Sequence, residues 1–214
     1  MSSPHTTDTT PTATGARRAV ARLATEILAP WVWVLGLPLV VAWQATGHQF
    51  GATLLWGLIV GVTGSVVPMI VIVRGAKKGA WDGHHVTNRE GRIVPFAACI
   101  GSLAVGWVAL ILGDAPHQMI SLAAAMLLTL VVSLLITFGA KYKVSLHGAV
   151  AAGAVVILAV VYNPWALVLT LLVVWVNWSR VVLRDHTTGQ VLLGTVVGLI
   201  AGGGGYWVLE QMLG

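Results

Sequence analysis

Charge is what this chain has least of. Only 9% of its 214 residues are Asp, Glu, Lys or Arg, against 57% hydrophobic. A soluble domain carries about a quarter charged residues, so this scarcity excludes one and points to a polytopic membrane protein. Cysteine is nearly absent too. The single Cys99 falls inside an apolar run, and one thiol cannot close an intramolecular disulfide. No polar linker divides the hydrophobic runs, so one membrane domain over residues 17–214 is expected. Residues 1–16, rich in Thr, Ser and Pro, have almost nothing to bury and read as a disordered tail. No signal-peptide cleavage pattern precedes the first run, which is long enough to stay as an anchor.

What is present is a succession of apolar runs: Ile27–Ala45, Ala52–Val73, Ile93–Leu112, Met119–Phe138, Leu146–Val161, Trp165–Trp178 and Thr188–Leu213. Runs near 20 residues match a hydrocarbon core of about 30 Å at about 1.5 Å per residue. The expected fold is an all-α transmembrane bundle of six to seven helices, six crossings following if one element is re-entrant or tilted, since the fifth and sixth runs are short. Gly194, Gly198 and Gly202 place a small residue at every fourth position of the last run, where another helix can approach closely. Gly203–Gly205 just beyond them offer a place for that helix to kink.

A second absence organises the topology. The turns after the first, third and fifth runs, and the segment after the seventh, hold no Lys or Arg. All 12 basic residues lie in the N-terminal segment or in the loops after the second, fourth and sixth runs. Seven crossings would bring those loops to one side, and the positive-inside rule places that side in the cytoplasm. A phosphate-ester site would collect the same charges whichever way the protein faced, so both explanations stand. The pI of about 9.9 reflects this clustering at the ends of apolar runs, which fits headgroups or an anionic substrate better than nucleic acid. Charge keeps to run edges, as Glu26 and Asp114 do, and this counts against a carrier with charges at midplane.

The basic loops also carry chemistry. The third contains Ser179-Arg180, then His186, then Gln190 four residues on. Arg180 offers a planar fork of donors for phosphate oxygens, and the His186 imidazole can attack phosphorus or carry a proton near neutral pH. A helix starting at Thr187 would put His186 and Gln190 on one face. The second loop reads Lys141-Tyr142-Lys143-Val144-Ser145-Leu146-His147. Ser145 is a candidate N-cap, which sets His147 in the first turn of the fifth helix, where anions are favoured. In the first loop six residues separate His85 from Arg92, and Asp82 and Arg89 repeat that spacing, so the choice between Arg89 and Arg92 stays open. No loop has convincing metal-ligand spacing, Asp82 with His84-His85 being the nearest approach.

In order and spacing these loops resemble the three signatures of the PAP2 superfamily, the type 2 phosphatidic acid phosphatases and vanadium haloperoxidases. Ser179, Arg180 and His186 match the third signature, with Gln190 where Asp is usual. Ser145 and His147 match the second, with Val144 and Leu146 replacing Pro and Gly. Arg92 matches the first, with His85 where Lys is usual and Ile93 replacing Pro. The resemblance covers about residues 75–200. It implies a PAP2-like core and metal-independent hydrolysis of a lipid phosphate or polyprenyl (di)phosphate, without cofactor. His186 would be the nucleophile, His147 the acid and base, and Gln190 the orienting residue. Arg180, Arg92, Arg89, His85, Ser145, Lys141 and Lys143 would hold phosphate. A catalytically silent lipid-binding relative and a transporter of another family are the alternatives. The bilayer is the expected partner, nucleic acid is not, and a homodimer is left open. Trp81, Trp107, Trp165, Trp175 and Trp178 are candidates for a tail channel, with the interfacial belt as their commoner role.

Overall fold

The computed structural model describes residues 12–79 and 93–214. We number its helices α1 Thr12–Ile27, α2 Pro30–Ala45, α3 Phe50–Lys77, α4 Ile93–Leu112, α5 His117–Phe138, α6 Leu146–Val161, α7 Pro164–Val182 and α8 Thr188–Leu213. Among the described residues the chain is all-helical. Five helices (α3, α4, α5, α7 and α8) are long and apolar enough to cross a membrane, and the α1–α2 pair, bent by 41°, makes up to six. The protein is therefore a multi-pass helical membrane bundle. Large side chains such as Leu112, Trp165, Leu171 and Ile200 stand more than two-thirds exposed. Water would penalise such a surface, whereas lipid tails accept it.

The apolar runs each became helix, but their ends moved. The first run begins a new helix at Pro30, because Ala29 before it is extended and proline cannot continue α1. The sixth run continues as helix to Val182, so Arg180 sits in the last turn of α7 instead of in a loop. Arg74 and Lys77 likewise fall in the last turn of α3, where cations complement the exposed carbonyls. The last helix holds a charge besides those at the other run edges: Glu210, whose Oε2 lies 3.4 Å from His117 Nε2 at the end opposite the basic loops.

Two helices contain a wide turn, and the one in α3 has an identifiable cause. In α3 the stretch Val62–Val66 is π-helical, with Val67 N–H donating to the Val62 carbonyl five residues back. The next donor in that series would be Pro68, which has no N–H, so the Thr63 carbonyl is left over. Ser102 Oγ of α4 donates to it at 2.6 Å. In α8 the wide turn spans Gly198–Gly204, and the helix carries through the glycines without a break.

At the centre stands α6, a 16-residue helix rich in Ala and Gly. Nine of its residues are buried, from His147 to Ile157, as expected for a helix that is apolar all round. The glycine face of α8 packs on it. A Cβ at Gly194 would strike the Ser145 carbonyl, one at Gly198 the Ala149 carbonyl, and one at Gly202 would lie 3.2 Å from Gly153 Cα. Both series advance by four, so α6 and α8 run parallel with their N-termini at the same end. That end is the basic one. At the same end α1 rests on α7, with Ala21, Ala24, Thr25 and Leu28 all buried and Thr25 Oγ1 and Ser179 Oγ 2.9 Å apart.

Candidate active site

Local backbone rules build the site. Ser145 caps α6: its backbone is extended and its Oγ accepts from Gly148 N–H at 3.4 Å. His147 is thereby fixed in the first turn and is 5% exposed. Ser145 N–H in turn donates to the Gln190 carbonyl at 3.3 Å, joining the starts of α6 and α8. Thr187 caps α8 in a capping box, its Oγ1 accepting from Gln190 N–H while Gln190 Oε1 accepts from Thr187 N–H. Gln190 Oε1 also lies 3.0 Å from His186 Nδ1. An oxygen that accepts from Thr187 N–H can only accept from the imidazole as well, so Nδ1 carries the proton and Nε2 the lone pair.

Between α7 and α8 the chain reverses at Arg184, whose φ of 61° is the left-handed end of a helix. Asp185 N–H and His186 N–H both donate back to the Arg180 carbonyl, at 3.1 and 3.2 Å. This folds the Asp185 carboxylate onto Arg180, with Oδ2 3.0 Å from NH1. Asp185 and Glu26 are the carboxylates whose charge reaches Arg180. Arg180 is 1% exposed and its Nε has no hydrogen-bond partner among the described residues. A buried guanidinium with unused donors is suited to an incoming anion.

Arg180, His147 and His186 line one cavity of about 180 Å³. The rest of its wall is mostly apolar, including Trp31, Trp33, Ile72, Phe96, Met126 and Ile157, and the hydroxyls of Ser65 and Thr129 on it donate to the Trp31 and Ala125 carbonyls. Along α6 the lining runs from His147 to Ile157, ten residues or about 15 Å, half the hydrocarbon thickness. The cavity is thus a polar head on an apolar shaft.

The other expected site residues divide. Gln190 supports His186 from behind. The Ser145 hydroxyl serves as the helix cap and is absent from the cavity wall. Lys143 Nζ donates to the Asp185 carbonyl at 2.8 Å, tying the second loop to the third. Lys141, at φ 54°, is exposed and outside the cavity wall. His85, Arg89 and Arg92, with Asp82, His84 and Trp81, lie outside the described residues. The tail-channel tryptophans need correction: Trp107 and Trp175 pack against core clusters, Trp165 is 86% exposed, and Trp178 is off the wall. Trp31 and Trp33 line the cavity instead. Their i, i+2 spacing at a helix start gave no sign of which face would turn inward. Asp185 stands out in the sequence as the acid beside His186, but its pairing with Arg180 was likewise hidden.

The fold and site together define a polytopic membrane protein with a basic, histidine-bearing cavity opening on apolar walls. Compared with known proteins, the chain matches no family model, no curated protein and no solved structure.

Proposed function

We propose that this protein is an integral membrane lipid phosphatase of the PAP2 type, hydrolysing a lipid phosphate or polyprenyl (di)phosphate through a phosphohistidine. One observation carries the reading: His147 from the first turn of α6, Arg180 from the last turn of α7 and His186 from the turn before α8 line a single cavity whose shaft is mostly apolar. A phosphate at the head and an acyl or prenyl chain in the shaft satisfy both parts of that wall.

In this reading His186 Nε2 attacks phosphorus, and the bond from phosphorus to the leaving oxygen breaks. His147 protonates that oxygen, and the lipid alcohol (or shorter phosphate) departs. His147 then takes a proton from water, whose oxygen attacks the phosphohistidine, releasing inorganic phosphate and restoring neutral His186. Arg180 meets the charge on the equatorial oxygens, with Arg92 or Arg89 as further donors. Gln190 orients the ring but adds no negative charge. Relative to a carboxylate this costs about 1–2 kcal/mol, or roughly 5–30-fold in rate.

Phosphate release from radiolabelled prenyl diphosphate or phosphatidic acid by the purified protein tests this. Wild type should release phosphate, His186→Ala should release none above background, and Gln190→Asp should be faster than wild type. Equal release by wild type and His186→Ala ends the catalytic reading. The second reading, a silent lipid-phosphate binder, draws on the neutral Gln190 and on the Arg180–Asp185 pair, which leaves little net charge at the head. In that case Arg180→Gln would lose lipid-phosphate binding while no variant releases phosphate. By the positive-inside rule the head of the cavity faces the cytoplasm of a cell membrane.

A further inference from the structure

Helix α1 presents three distinct faces. Ala21, Ala24, Thr25 and Leu28 are buried against the bundle. Val20, Leu23 and Ile27, at i, i+3 and i+7, form an apolar stripe that is 45%, 55% and 51% exposed. Arg18 and Arg22, at i and i+4, form an exposed cationic stripe with Arg17 nearby. At 100° per residue the two exposed stripes lie roughly 150° apart around the axis. A helix standing in water gains nothing from the apolar stripe, and one crossing hydrocarbon could not carry the three arginines.

Length gives the same answer independently. Gly15–Ile27 with Pro30–Ala45 extends over 31 residues, about 46 Å, against a hydrocarbon core of about 30 Å. Something near ten residues must lie outside that core. The Ala29–Pro30 break bends α1 away from α2 by 41°, and Thr25 meets Ser179, near the end of α7. The arginines of α1 therefore project beyond the last turn of α7, on the same side as Lys77, Lys78 and Arg184.

We propose that α1 slants out through the headgroup layer of the bilayer, its Val20–Leu23–Ile27 stripe bedded at the acyl boundary and its arginines holding anionic phospholipid headgroups. The basic stripe supplies the charge complement, and the apolar stripe continues the lipid-facing belt of the bundle. The cavity and its chemistry take no part in this inference. Through Ser179, however, α1 touches the residue next to Arg180, so lipid held here sits beside the cavity head.

The test uses the full chain with Cys99→Ala and single labels at Arg18→Cys, Val20→Cys, Arg22→Cys, Leu23→Cys or Ile27→Cys, in vesicles of phosphatidylglycerol and phosphatidylcholine. All five positions are exposed, so labelling leaves the packing intact. Probes at 20, 23 and 27 should be quenched severalfold more by brominated lipid than by aqueous iodide, and probes at 18 and 22 the reverse. Quenching of all five by iodide, or of all five by lipid, overturns the placement. In a second arm, native mass spectrometry should find phosphatidylglycerol enriched over phosphatidylcholine on the wild type. Combined R17Q, R18Q and R22Q should lower that enrichment severalfold. Unchanged enrichment overturns the headgroup contact.

Discussion

Asp185 and Gln190 sit on either side of His186, and only one of them carries charge. That charge faces Arg180, not the imidazole, because Arg184 turns the backbone left-handed immediately before it. Asp185 serves as counter-ion to a guanidinium that is 1% exposed. Asp185→Asn should lower stability by about 1–3 kcal/mol, since a buried cation loses its partner. Millimolar inorganic phosphate should restore most of that loss if Arg180 faces the phosphate site, because a ligand that binds only the folded state stabilises it. Thermal unfolding with and without phosphate reads both effects. No restoration would separate Arg180 from anion binding. At this scale the sequence was informative where short-range rules applied. Ser145 as a cap, His147 in a first turn and Gln190 facing His186 all follow from spacing and capping chemistry. The ion pair did not, since it depends on α7 continuing to Val182 past the end of the apolar run.

Between elements, the contact that matters most is α6 against α8. The four-residue glycine spacing was legible as a place of close approach, but not which helix would come. The partner is α6, and the meeting surfaces are backbone on backbone: Gly198 stands against the Ala149 carbonyl and Gly153 against the Gly198 carbonyl. Gly198→Ala should cost about 1–3 kcal/mol through overpacking, and more if the helices cannot separate. Because His147 and His186 are carried by these two helix starts, phosphate release should fall with it. An unfolding curve beside a release assay distinguishes this from a purely chemical defect. The wide turn in α3 makes a smaller prediction. Ser102→Ala removes the hydroxyl that serves the Thr63 carbonyl and should lower stability by about 1–2 kcal/mol, measured by unfolding in detergent.

For the molecule as a whole, composition fixes the class. The described basic residues flank the cavity end of the bundle, while His117 and Glu210 mark the opposite end. On the orientation proposed above, a reporter fused after Gly214 should read as non-cytoplasmic, and one in the second basic loop as cytoplasmic. The reverse result would assign the charges to substrate binding instead of insertion. The long apolar runs were visible because lipid exposure demands unbroken hydrophobicity. The cavity was not, since its wall draws Trp31, Ile72, Phe96, Met126 and Ile157 from five helices far apart in the chain.

The matched four-residue ladders of α6 and α8 accept only one alignment along the axis. Sliding one helix past the other by a turn would set Gly202 against Ile157 in one direction, or Tyr206 against Gly153 in the other. The bond from Ser145 N–H to the Gln190 carbonyl and the two caps beside it belong to that same alignment. Two bulky residues deep in the bundle, Ile157 and Tyr206, therefore keep the imidazoles at its mouth in step.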